Sequence, residues 1–402
     1  MIKFALIKEC KTPPDRRVVF SPNILKKVVS EFPEASFKVE SSDIRVFSDQ
    51  EYRDAGFEVS EDITDCDVLL GVKEVPIPNL IPDKKYFFFS HTIKKQPYNR
   101  DLLREIMKNN IELYDHEVIT NSRKGRLVGF GRYAGLVGAY NGIRGIGIKE
   151  KKFDLPKAES LKDLRALLKE LDKISLPNFK FVLTGSGKVA HGAKEILDHL
   201  KIRKVTIEEY LSSEFDEPVY CHIDVLDYAK RKDGATGSRA EFYKVPENYN
   251  SNFMRFARTS DVFFAGHFYG QGSPVFYTAE DIQDKDFRIK YVADISCDIA
   301  GPVASTIRPS TIAEPFYGYD PKSAREVDFM EPGAITVMAV DNLPCELPRD
   351  ASEGFGEMFM KHVIPAFFND DKEGILGRAR MTENGKLTPL YSYLQEYVNG
   401  SE

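Results

Sequence analysis

The sequence predicts an α/β protein built on parallel sheets and divided into two or three domains. Short apolar runs alternate with amphipathic stretches through the first third, the βαβα order that gives a helix-covered parallel sheet. At 179–200 an apolar run leads through a glycine-rich turn into an amphipathic stretch. The chain has 402 residues, and domains of roughly 100–200 residues leave room for two or three of them.

Composition narrows the function class. Hydrophobic residues make up 42% and charged residues 29% of the chain, which predicts ordered cores. The net charge of −6 argues against a partner that is nucleic acid or an anionic membrane. The N-terminus lacks the apolar core of a signal peptide, and no apolar run is long enough to span a bilayer. Five scattered cysteines without a CxxC pair predict a cytoplasmic protein with free thiols and no metal site.

The elements of the first third follow from apolar periodicity. Buried strands are predicted where short apolar runs are bounded by Pro or Asp, and helices where apolar residues recur every three or four positions. The predicted strands are 2–9, 67–74 and 85–91, and the predicted helices are 23–32 and 99–110.

The middle of the chain shows three further patterns. Five glycines within 131–145 recur every three or four positions, so a helix there would present them on one face and allow another backbone close to it. A helix is predicted within 160–174, with Ser160 and Asp163 as a capping box. Residues 207–255 are polar and irregular, which predicts an exposed loop or insertion.

The glycine-rich turn is the strongest motif. Gly185, Gly187 and Ala190 form the G-x-G-x-x-A pattern between the predicted strand and helix. Its glycines allow a tight turn and close approach to a pyrophosphate, and the helix N-terminus provides oriented N–H groups. The pattern in this context predicts a bound nicotinamide or flavin nucleotide. The acid expected about 20 residues on falls near Thr206, between bases and Glu208, which leaves NAD and NADP open.

Two later apolar runs predict further strands of the same sheet. The run at 261–270 closes on Gly266, and the run at 290–298 carries Asp294, Ser296 and Asp298. Ligands of open parallel sheets bind at the carboxyl ends of strands, so these positions are candidates for contact with ligand. Helix capping is the alternative role for the acids.

Four short segments of the N-terminal region carry charged or titratable side chains at strand ends or in loops. They are RVVFSP with Arg17, GVKEVP with Lys73, FFFSHTIKKQ with His91, and GRLVGFGRYAG with Arg126. Each side chain taken singly has an ordinary structural role available, such as solvation or capping. The four segments as a set, followed by the dinucleotide turn, are much more specific.

This set resembles the superfamily of alanine dehydrogenase, transhydrogenase and saccharopine dehydrogenase. The similarity is strongest to the lysine–ketoglutarate reductase half of aminoadipic semialdehyde synthase, followed by the one-domain lysine-forming saccharopine dehydrogenases. Three later segments, VADISCDIAG, TIAEPF and VMAVDNLPCELPRDASEGFGEMF, resemble the reductase type. The resemblance runs from about residue 4 to 395 and is weakest at 146–178 and 207–250.

The resemblance implies two Rossmann-like domains with a deep interdomain cleft. The first would comprise 1–135 and a C-terminal return of 345–402, with a helix beginning near Asp350, and the second would be the dinucleotide-binding domain of 136–344. The implied reaction converts saccharopine, NAD or NADP and water to L-lysine, 2-oxoglutarate and the reduced cofactor, or the reverse.

The resemblance also assigns roles. Lys73 and His91 would be the acid–base pair, and Glu74 and Glu117 would tune their pKa values. Substrate would be bound by Arg17, Arg126, Phe130, Asp294, Ile295 and Ser296. Cofactor would be bound by Gln96, Gly185, Gly187, Lys188, Gly266, Ala293, Val340, Asp341, Asn342 and Leu343.

Three positions depart from the family pattern. Gly125 precedes Arg126 where some relatives have a second arginine, Arg132 adds a charge, and His267 replaces an aliphatic residue. An alanine dehydrogenase-like enzyme acting on a keto acid and ammonia, and a non-catalytic nicotinamide-binding regulator, are the alternatives. Four properties stay open. They are the choice between NAD and NADP, the direction of the reaction in the cell, the exact amino-acid and keto-acid pair, and whether the chain is a monomer or a homo-oligomer.

Overall fold

The computed structural model describes residues 1–401. The chain forms two compact units, one made of 1–130 with 348–402 and the other of 131–347. Both are α/β, and each contains a parallel sheet, which confirms the predicted fold class.

The first unit contains a six-stranded sheet in the order β3-β2-β1-β4-β5-β6, and every pair of neighbours is parallel. Its strands are β1 (Ile2–Leu6), β2 (Ala35–Glu40), β3 (Glu58–Ser60), β4 (Val68–Leu70), β5 (Lys85–Phe88) and β6 (Glu112–Asp115). Its first helices are α1 (Pro22–Glu31), α2 (Asp49–Asp54) and α3 (Arg100–Lys108). The three predicted strands and two predicted helices of the first third are all present. The strands and α3 are shorter than predicted, whereas α1 is shifted by one residue.

Alternation along β1 shows why this sheet is covered on both faces. Phe4 and Leu6 belong to one hydrophobic core, and Ala5 and Ile7 belong to a second. Successive side chains of a strand point to opposite faces, so both faces of the sheet are apolar and buried. The C-terminal return contributes to both cores, with Phe355 in the first and Met381 in the second.

The second unit contains an eight-stranded sheet in the order β15-β14-β16-β13-β12-β7-β9-β8. The six strands from β16 to β8 are parallel, whereas β14 and β15 are antiparallel. The strands of this unit, including a separate β10–β11 pair, are β7 (Lys180–Thr184), β8 (Arg203–Lys204), β9 (Val219–Ile223), β10 (Ala229–Arg231), β11 (Tyr249–Ser251), β12 (Val262–Ala265), β13 (Tyr291–Asp294), β14 (Phe316–Asp320), β15 (Arg325–Val327) and β16 (Ile335–Met338).

The helices of the second unit begin with a long glycine-rich one. They are α4 (Gly131–Lys149), α5 (Leu164–Leu171), α6 (Lys188–His199), α7 (Ile207–Ser212), α8 (Val225–Tyr228), α9 (Arg239–Lys244), α10 (Met254–Ala257) and α11 (Ala279–Ile282). A Cβ on Gly135 would lie 2.0 Å from the Val189 carbonyl oxygen of α6, and one on Gly192 would lie 2.0 Å from that of Arg132. The predicted close approach of a second backbone to this helix is therefore confirmed.

The C-terminal return consists of α12 (Pro348–His362), α13 (Ile375–Ala379), the hairpin β17 (Thr382–Glu383) with β18 (Lys386–Leu387), and α14 (Gln395–Asn399). The helix predicted to begin near Asp350 thus starts two residues earlier. No helix within 1–401 is long and apolar enough to cross a membrane. The same residues contain no cluster of three or more His, Cys, Asp or Glu side chains arranged to hold a metal ion.

Two local predictions are wrong. The predicted capping box at Ser160 does not form, because Asp163 is itself the N-cap of α5 and accepts from Ala166 N–H at 2.9 Å. The stretch 207–255 is more than an exposed loop, because it contains the fully paired strand β9 beside β7. Four of the five residues of β9 are buried. The strand was not predicted because the segments on either side of it are polar.

Candidate active site and cofactor site

The acid–base residues predicted in the first unit follow adjacent strands of its sheet. Just beyond β4 and β5, the Phe89 N–H donates to the Val72 carbonyl at 3.0 Å. Lys73 follows Val72 directly, and His91 comes two residues after Phe89. The carboxyl ends of these parallel strands therefore bring both residues to the same edge of the sheet.

Glu9, which follows β1, fixes the backbone that carries Lys73. Its two carboxyl oxygens accept from Val72 N–H at 2.6 Å and from Lys73 N–H at 2.8 Å. Burial, and secondarily the charge of Asp15, raise the pKa of Glu9 to about 8. The side chain links the ends of β1 and β4, which are neighbours in the sheet.

Lys73 lies in an environment that disfavours its ammonium form. Burial, followed by the positive charge of Arg17, lowers the pKa of Lys73. The adjacent Glu74 is held away from solvent by Lys11, whose ammonium lies 3.0 and 2.9 Å from its two oxygens. A lysine with a lowered pKa is suited to exchanging protons near neutral pH.

His91 forms a second polar cluster with the residues beyond β6. Its Nδ1 lies 3.3 Å from Glu117 Oε2. Glu117 Oε1 lies 3.3 Å from the Lys94 ammonium and 3.7 Å from Arg126 Nη2. Burial alone would raise the pKa of Glu117, but the His91 hydrogen bond and the two cations outweigh it and lower that pKa to about 2. The carboxylate is therefore ionised and orients three basic side chains.

The backbone of the His91 turn is unusual. His91 and Lys95 have φ values of +55° and +53°, in the left-handed region, on either side of the single turn Thr92–Lys94. Such non-glycine conformations cost about 1–3 kcal/mol and persist where surrounding contacts fix them. One such contact is Asp115, which accepts from Ser90 N–H at 3.0 Å, and burial raises the pKa of Asp115 to about 6.

Arg17 and Phe130 form a buried stack in the first unit. Arg17 pairs with Asp15 through Nε at 3.0 Å and Nη2 at 2.6 Å, and both side chains are 3% exposed. The Arg17 guanidinium lies 4.2 Å from the Phe130 ring centroid, and Phe355 stacks on Phe130 at 4.6 Å. Phe130 is therefore held by a cation and a second aromatic ring of its own unit. Arg126 differs from Arg17, since its side chain is half exposed.

The glycine-rich turn of the second unit has the geometry of a pyrophosphate cradle. Gly185 has φ +99°, and a Cβ there would lie 2.4 Å from the Gly266 carbonyl oxygen. Gly187 is the N-cap of α6, and a Cβ added to it would meet no atom within 4 Å. The space beside Gly187 and the α6 N-terminus, where Lys188 is the first residue, therefore fit the diphosphate of a dinucleotide.

The other predicted cofactor positions follow neighbouring strands of the same sheet. Gly266 follows β12, and the segment 340–343 follows β16. Ala293 lies in β13 and is buried, as are Val340 and Leu343, while Asp341 is exposed and Asn342 half-buried. β12 lies beside β7, β13 beside β12 and β16 beside β13, and all four strands are parallel. The positions therefore lie towards the same edge of the sheet, at the carboxyl ends of its strands. Gln96 instead belongs to the first unit, where its side chain is exposed.

The segment after β13 is held by its own buried acid. Asp294 Oδ1 accepts from Ser296 Oγ at 2.7 Å and from Cys297 N–H at 3.0 Å, and its Oδ2 accepts from Thr306 Oγ1 at 2.7 Å. Burial raises the pKa of Asp294 against these hydrogen bonds. Ile295 is buried against Gly138. Asp294 thus shapes the loop, and its two oxygens already have partners.

Asp224, which was not predicted from the sequence, follows the strand after which dinucleotide-binding folds carry an acid for the ribose. Thr206 and Glu209 instead form a reciprocal capping box at the start of α7. Asp224 directly follows β9, the strand beside β7. The Tyr220 hydroxyl donates to Asp198 of α6 at 2.7 Å, and His222 Nε2 lies 2.6 Å from the Gly185 carbonyl. Asp224 is the N-cap of α8 and stands at the carboxyl end of the strand beside β7.

Comparison with known proteins shows which enzymes the chain is similar to. Residues 5–137 match the family model "Alanine dehydrogenase/PNT, N-terminal domain". An alpha-aminoadipic semialdehyde synthase of Arabidopsis thaliana is 30% identical over 399 residues, covering 89% of this chain and 37% of that protein. A saccharopine dehydrogenase [NAD(+), L-lysine-forming] of Candida glabrata is 25% identical over 394 residues, covering 93% of this chain and 97% of the relative. The chain is thus similar over most of its length to saccharopine dehydrogenases and to one part of aminoadipic semialdehyde synthases.

The solved structure of an L-alanine dehydrogenase shares the fold of this chain. It has a TM-score of 0.65 with 15% sequence identity, and the match covers 100% of both chains. The chain spans less than half the length of the synthases that it matches, 37% of the Arabidopsis protein and 48% of a mouse protein of the same name.

Several side chains of this saccharopine dehydrogenase relative were not predicted from its sequence. Glu9, Asp15 and Lys94 contact predicted site residues in the first unit, and Asp224 lies at the cofactor turn of the second. Each of these residues lies near the end of a strand or close in sequence to a predicted site residue. That position in the sequence is the signal from which they could have been predicted. Asp224 follows the five-residue run VYCHI, which has the length and composition of a strand.

Two of the residues that depart from the family pattern, Arg132 and His267, contact side chains of the second unit. Arg132 pairs with Glu195 of α6 through Nε at 2.7 Å and Nη2 at 2.6 Å. His267 is buried with Nδ1 3.0 Å from Thr184 Oγ1, and burial lowers its pKa to about 3. Each extra basic residue therefore has a packing partner in its own unit.

Proposed function

We propose that the chain is a nicotinamide-dependent oxidoreductase acting on the CH–NH group of saccharopine. The reaction is saccharopine, oxidised cofactor and water to or from L-lysine, 2-oxoglutarate and reduced cofactor. The observation that carries the proposal is the joint placement of Lys73 and His91 at adjacent strand ends, each beside a separate charged cluster. The names of the synthase and dehydrogenase relatives agree with this chemistry.

The two basic residues divide the proton transfers. In the direction of saccharopine formation, the lysine ε-amine must lose a proton before its nitrogen bonds to the keto carbon. The carbinolamine oxygen must then gain protons and leave as water, giving an imine. Lys73, with its lowered pKa, takes up and returns a proton, while His91, oriented through Nδ1 by Glu117, presents its other ring nitrogen. When bound, the nicotinamide supplies or accepts the hydride at the imine carbon.

The cations of the first unit bind the carboxylates of the substrate. Saccharopine carries three carboxylates, so several cations must face it. Arg126 is half exposed and 3.7 Å from Glu117, so its guanidinium can turn to a carboxylate in the bidentate geometry that arginine favours. Lys94 is similarly exposed. Arg17 contributes positive charge from beneath Phe130, where it also lowers the pKa of Lys73.

The cofactor is held by the strand ends of the second unit. Gly185, Gly187 and the α6 N-terminus hold the diphosphate, and Asp224 lies at the adenosine ribose. The loops after β12, β13 and β16 would complete the site with main-chain groups. We place the protein in the cytoplasm, in keeping with five cysteines that carry no disulfide.

The test is the loss of reduced-nicotinamide absorbance with purified protein. NADH and NADPH are offered in parallel, each with L-lysine plus 2-oxoglutarate and then with pyruvate plus ammonia. Oxidation only with lysine plus 2-oxoglutarate supports the proposal. Oxidation only with pyruvate and ammonia replaces it with an amino-acid dehydrogenase, and measurable cofactor binding without any oxidation favours a regulator. Lys73→Met is the matched inactive control.

A further inference from the structure

Asp115, the last residue of β6, links the main chain on the two sides of the His91–Glu117 pair. Its side chain is fully buried. Its Oδ1 accepts from Glu117 N–H at 2.7 Å, and its Oδ2 accepts from Ser90 N–H at 3.0 Å and from the Ser90 hydroxyl. Ser90 directly precedes His91. One carboxylate therefore binds the main chain of Glu117 and the main chain next to His91.

The Ser90 hydroxyl extends this support to the other side of His91. Ser90 Oγ lies 2.7 Å from Thr92 Oγ1 and accepts from Thr92 N–H at 3.3 Å, and both residues are buried. His91 thus lies between two buried residues, with the left-handed φ of +55° that such contacts are needed to maintain. Its imidazole leaves this backbone to meet Glu117 Oε2 at 3.3 Å. The backbone that Asp115 holds therefore sets the position of the ring.

The sheet itself does not set the spacing of the two segments. The last paired residues of β5 and β6 are Phe88 and Asp115, and both His91 and Glu117 come after them. Burial raises the pKa of Asp115 to about 6 against the hydrogen bonds from Ser90 and Glu117, so the carboxyl is mostly ionised at neutral pH. An ionised carboxylate accepts hydrogen bonds and donates none, which matches the three donors that face it.

We propose that Asp115 is a positioning residue for the proton transfers, which sets the distance between His91 and Glu117 through its hydrogen bonds to the main chain beside them. This inference rests on the proposed function and gives Asp115 no contact with substrate. Glu9 has the equivalent place for Lys73, whose N–H it accepts at 2.8 Å. Each member of the proposed acid–base pair is thus supported by a buried carboxyl group of its own.

The test in the full chain is Asp115→Asn. An amide has one acceptor oxygen, so whichever way it is turned, its NH2 group faces the N–H of Glu117 or of Ser90. Turnover of L-lysine, 2-oxoglutarate and reduced cofactor should fall about 10- to 100-fold, since a displacement of about 1 Å can cost that much. The KM of each substrate should change by less than about threefold. In the His91→Gln background the same change should cost nothing further, because residues that act through each other are not additive.

The matched control is Asp261→Asn. Asp261 is also buried and accepts a main-chain N–H, that of Lys180 at 2.9 Å, but it precedes β12 at the opposite edge of its sheet from the carboxyl ends. Its loss should leave turnover within about twofold of native. A second readout needs no turnover, since the imidazole resonance of His91 in protein with 13C-labelled histidine is identified by its loss in His91→Gln. This resonance should shift in Asp115→Asn and stay in place in Asp261→Asn.

Ser90→Ala is the milder variant, because it removes one of the three donors and leaves Asp115 and the backbone in place. It should shift the same resonance by a smaller amount, and it replaces Asp115→Asn if that variant does not fold. A loss that adds fully to that of His91→Gln, or a His91 resonance that does not move, overturns the positioning role and leaves the proposed reaction standing. Native protein without turnover of lysine and 2-oxoglutarate overturns the proposed reaction, and the resonance then decides separately whether Asp115 positions His91.

Discussion

The buried ion pair between Asp15 and Arg17 gives a sharp prediction about stability. Both side chains are 3% exposed and joined by two hydrogen bonds of 3.0 and 2.6 Å. Asp15→Asn keeps the shape but removes the carboxylate charge that faces the guanidinium. Removing one partner of a buried pair costs about 3–5 kcal/mol. At roughly 2–4 °C per kcal/mol for a unit of this size, the unfolding midpoint should fall by roughly 6–20 °C.

The assay is thermal and urea unfolding followed by circular dichroism. A matched control exists in Glu195→Gln, because Arg132 holds Glu195 through Nε and Nη2 at 2.7 and 2.6 Å, the same two-bond geometry. The side chains of Arg132 and Glu195 are 44% and 42% exposed. Glu195→Gln should therefore lower the free energy of unfolding by less than about 1 kcal/mol. Similar losses in the two variants would refute the reasoning that burial decides the cost.

The same variant has a second readout in the pH profile. Asp15 raises the pKa of Lys73, whereas burial and Arg17 lower it. Asp15→Asn should therefore lower the pKa of Lys73 further and move the limb of the turnover profile that reports Lys73 to lower pH. A limb that moves to higher pH would contradict the assignment of that limb to Lys73.

Four further predictions concern turnover, cofactor binding and stability. Lys73→Met and His91→Gln should each lower turnover about 10²- to 10⁴-fold with smaller effects on substrate binding, and unchanged turnover would remove that residue from the mechanism. Gly187→Ala should fold normally, since its Cβ meets no atom within 4 Å, yet weaken cofactor binding about tenfold or more, measured by cofactor fluorescence. Gly135→Ala, whose Cβ would lie 2.0 Å from a carbonyl oxygen, should instead destabilise the second unit by about 1–3 kcal/mol in urea unfolding. The raised pKa of Glu9, about 8, means that its contribution to stability is present below about pH 4.5 and is lost as pH rises through 8. The unfolding free energy of wild type relative to Glu9→Gln should therefore fall between pH 5 and 9, by at most about 1.4 kcal/mol per pH unit, and a rise would contradict the burial argument.

Much of the fold could be predicted because its signals are local. Short apolar runs predicted three of the six strands of the first unit, and the spacing of five glycines was consistent with the helix α4. The failure at 207–255 has a physical cause. β9 is only five residues long and lies between polar segments, so average polarity concealed the alternation and apolar character of the strand itself.

The order of strands in space is not contained in any local pattern. The acid after the second strand in sequence was expected at the ribose, but β8 lies at the sheet edge and β9 takes the place beside β7. Thr206 consequently serves α7 as a cap, and Asp224 occupies the position next to the glycine turn. Pairings such as Glu9 with the Lys73 backbone depend on the same strand order, which is why they emerged only from the structure.

The most direct test of the proposed reaction follows the hydride. The full chain is incubated with L-lysine, 2-oxoglutarate and reduced cofactor carrying deuterium at the transferable position, and the product is analysed by mass spectrometry. The account predicts a secondary amine with the combined mass of the two substrates less water, plus one deuterium and one proton, with the deuterium on the former keto carbon. A product without deuterium at that carbon, or deuterium appearing only in a product that lacks the lysine portion, would contradict it.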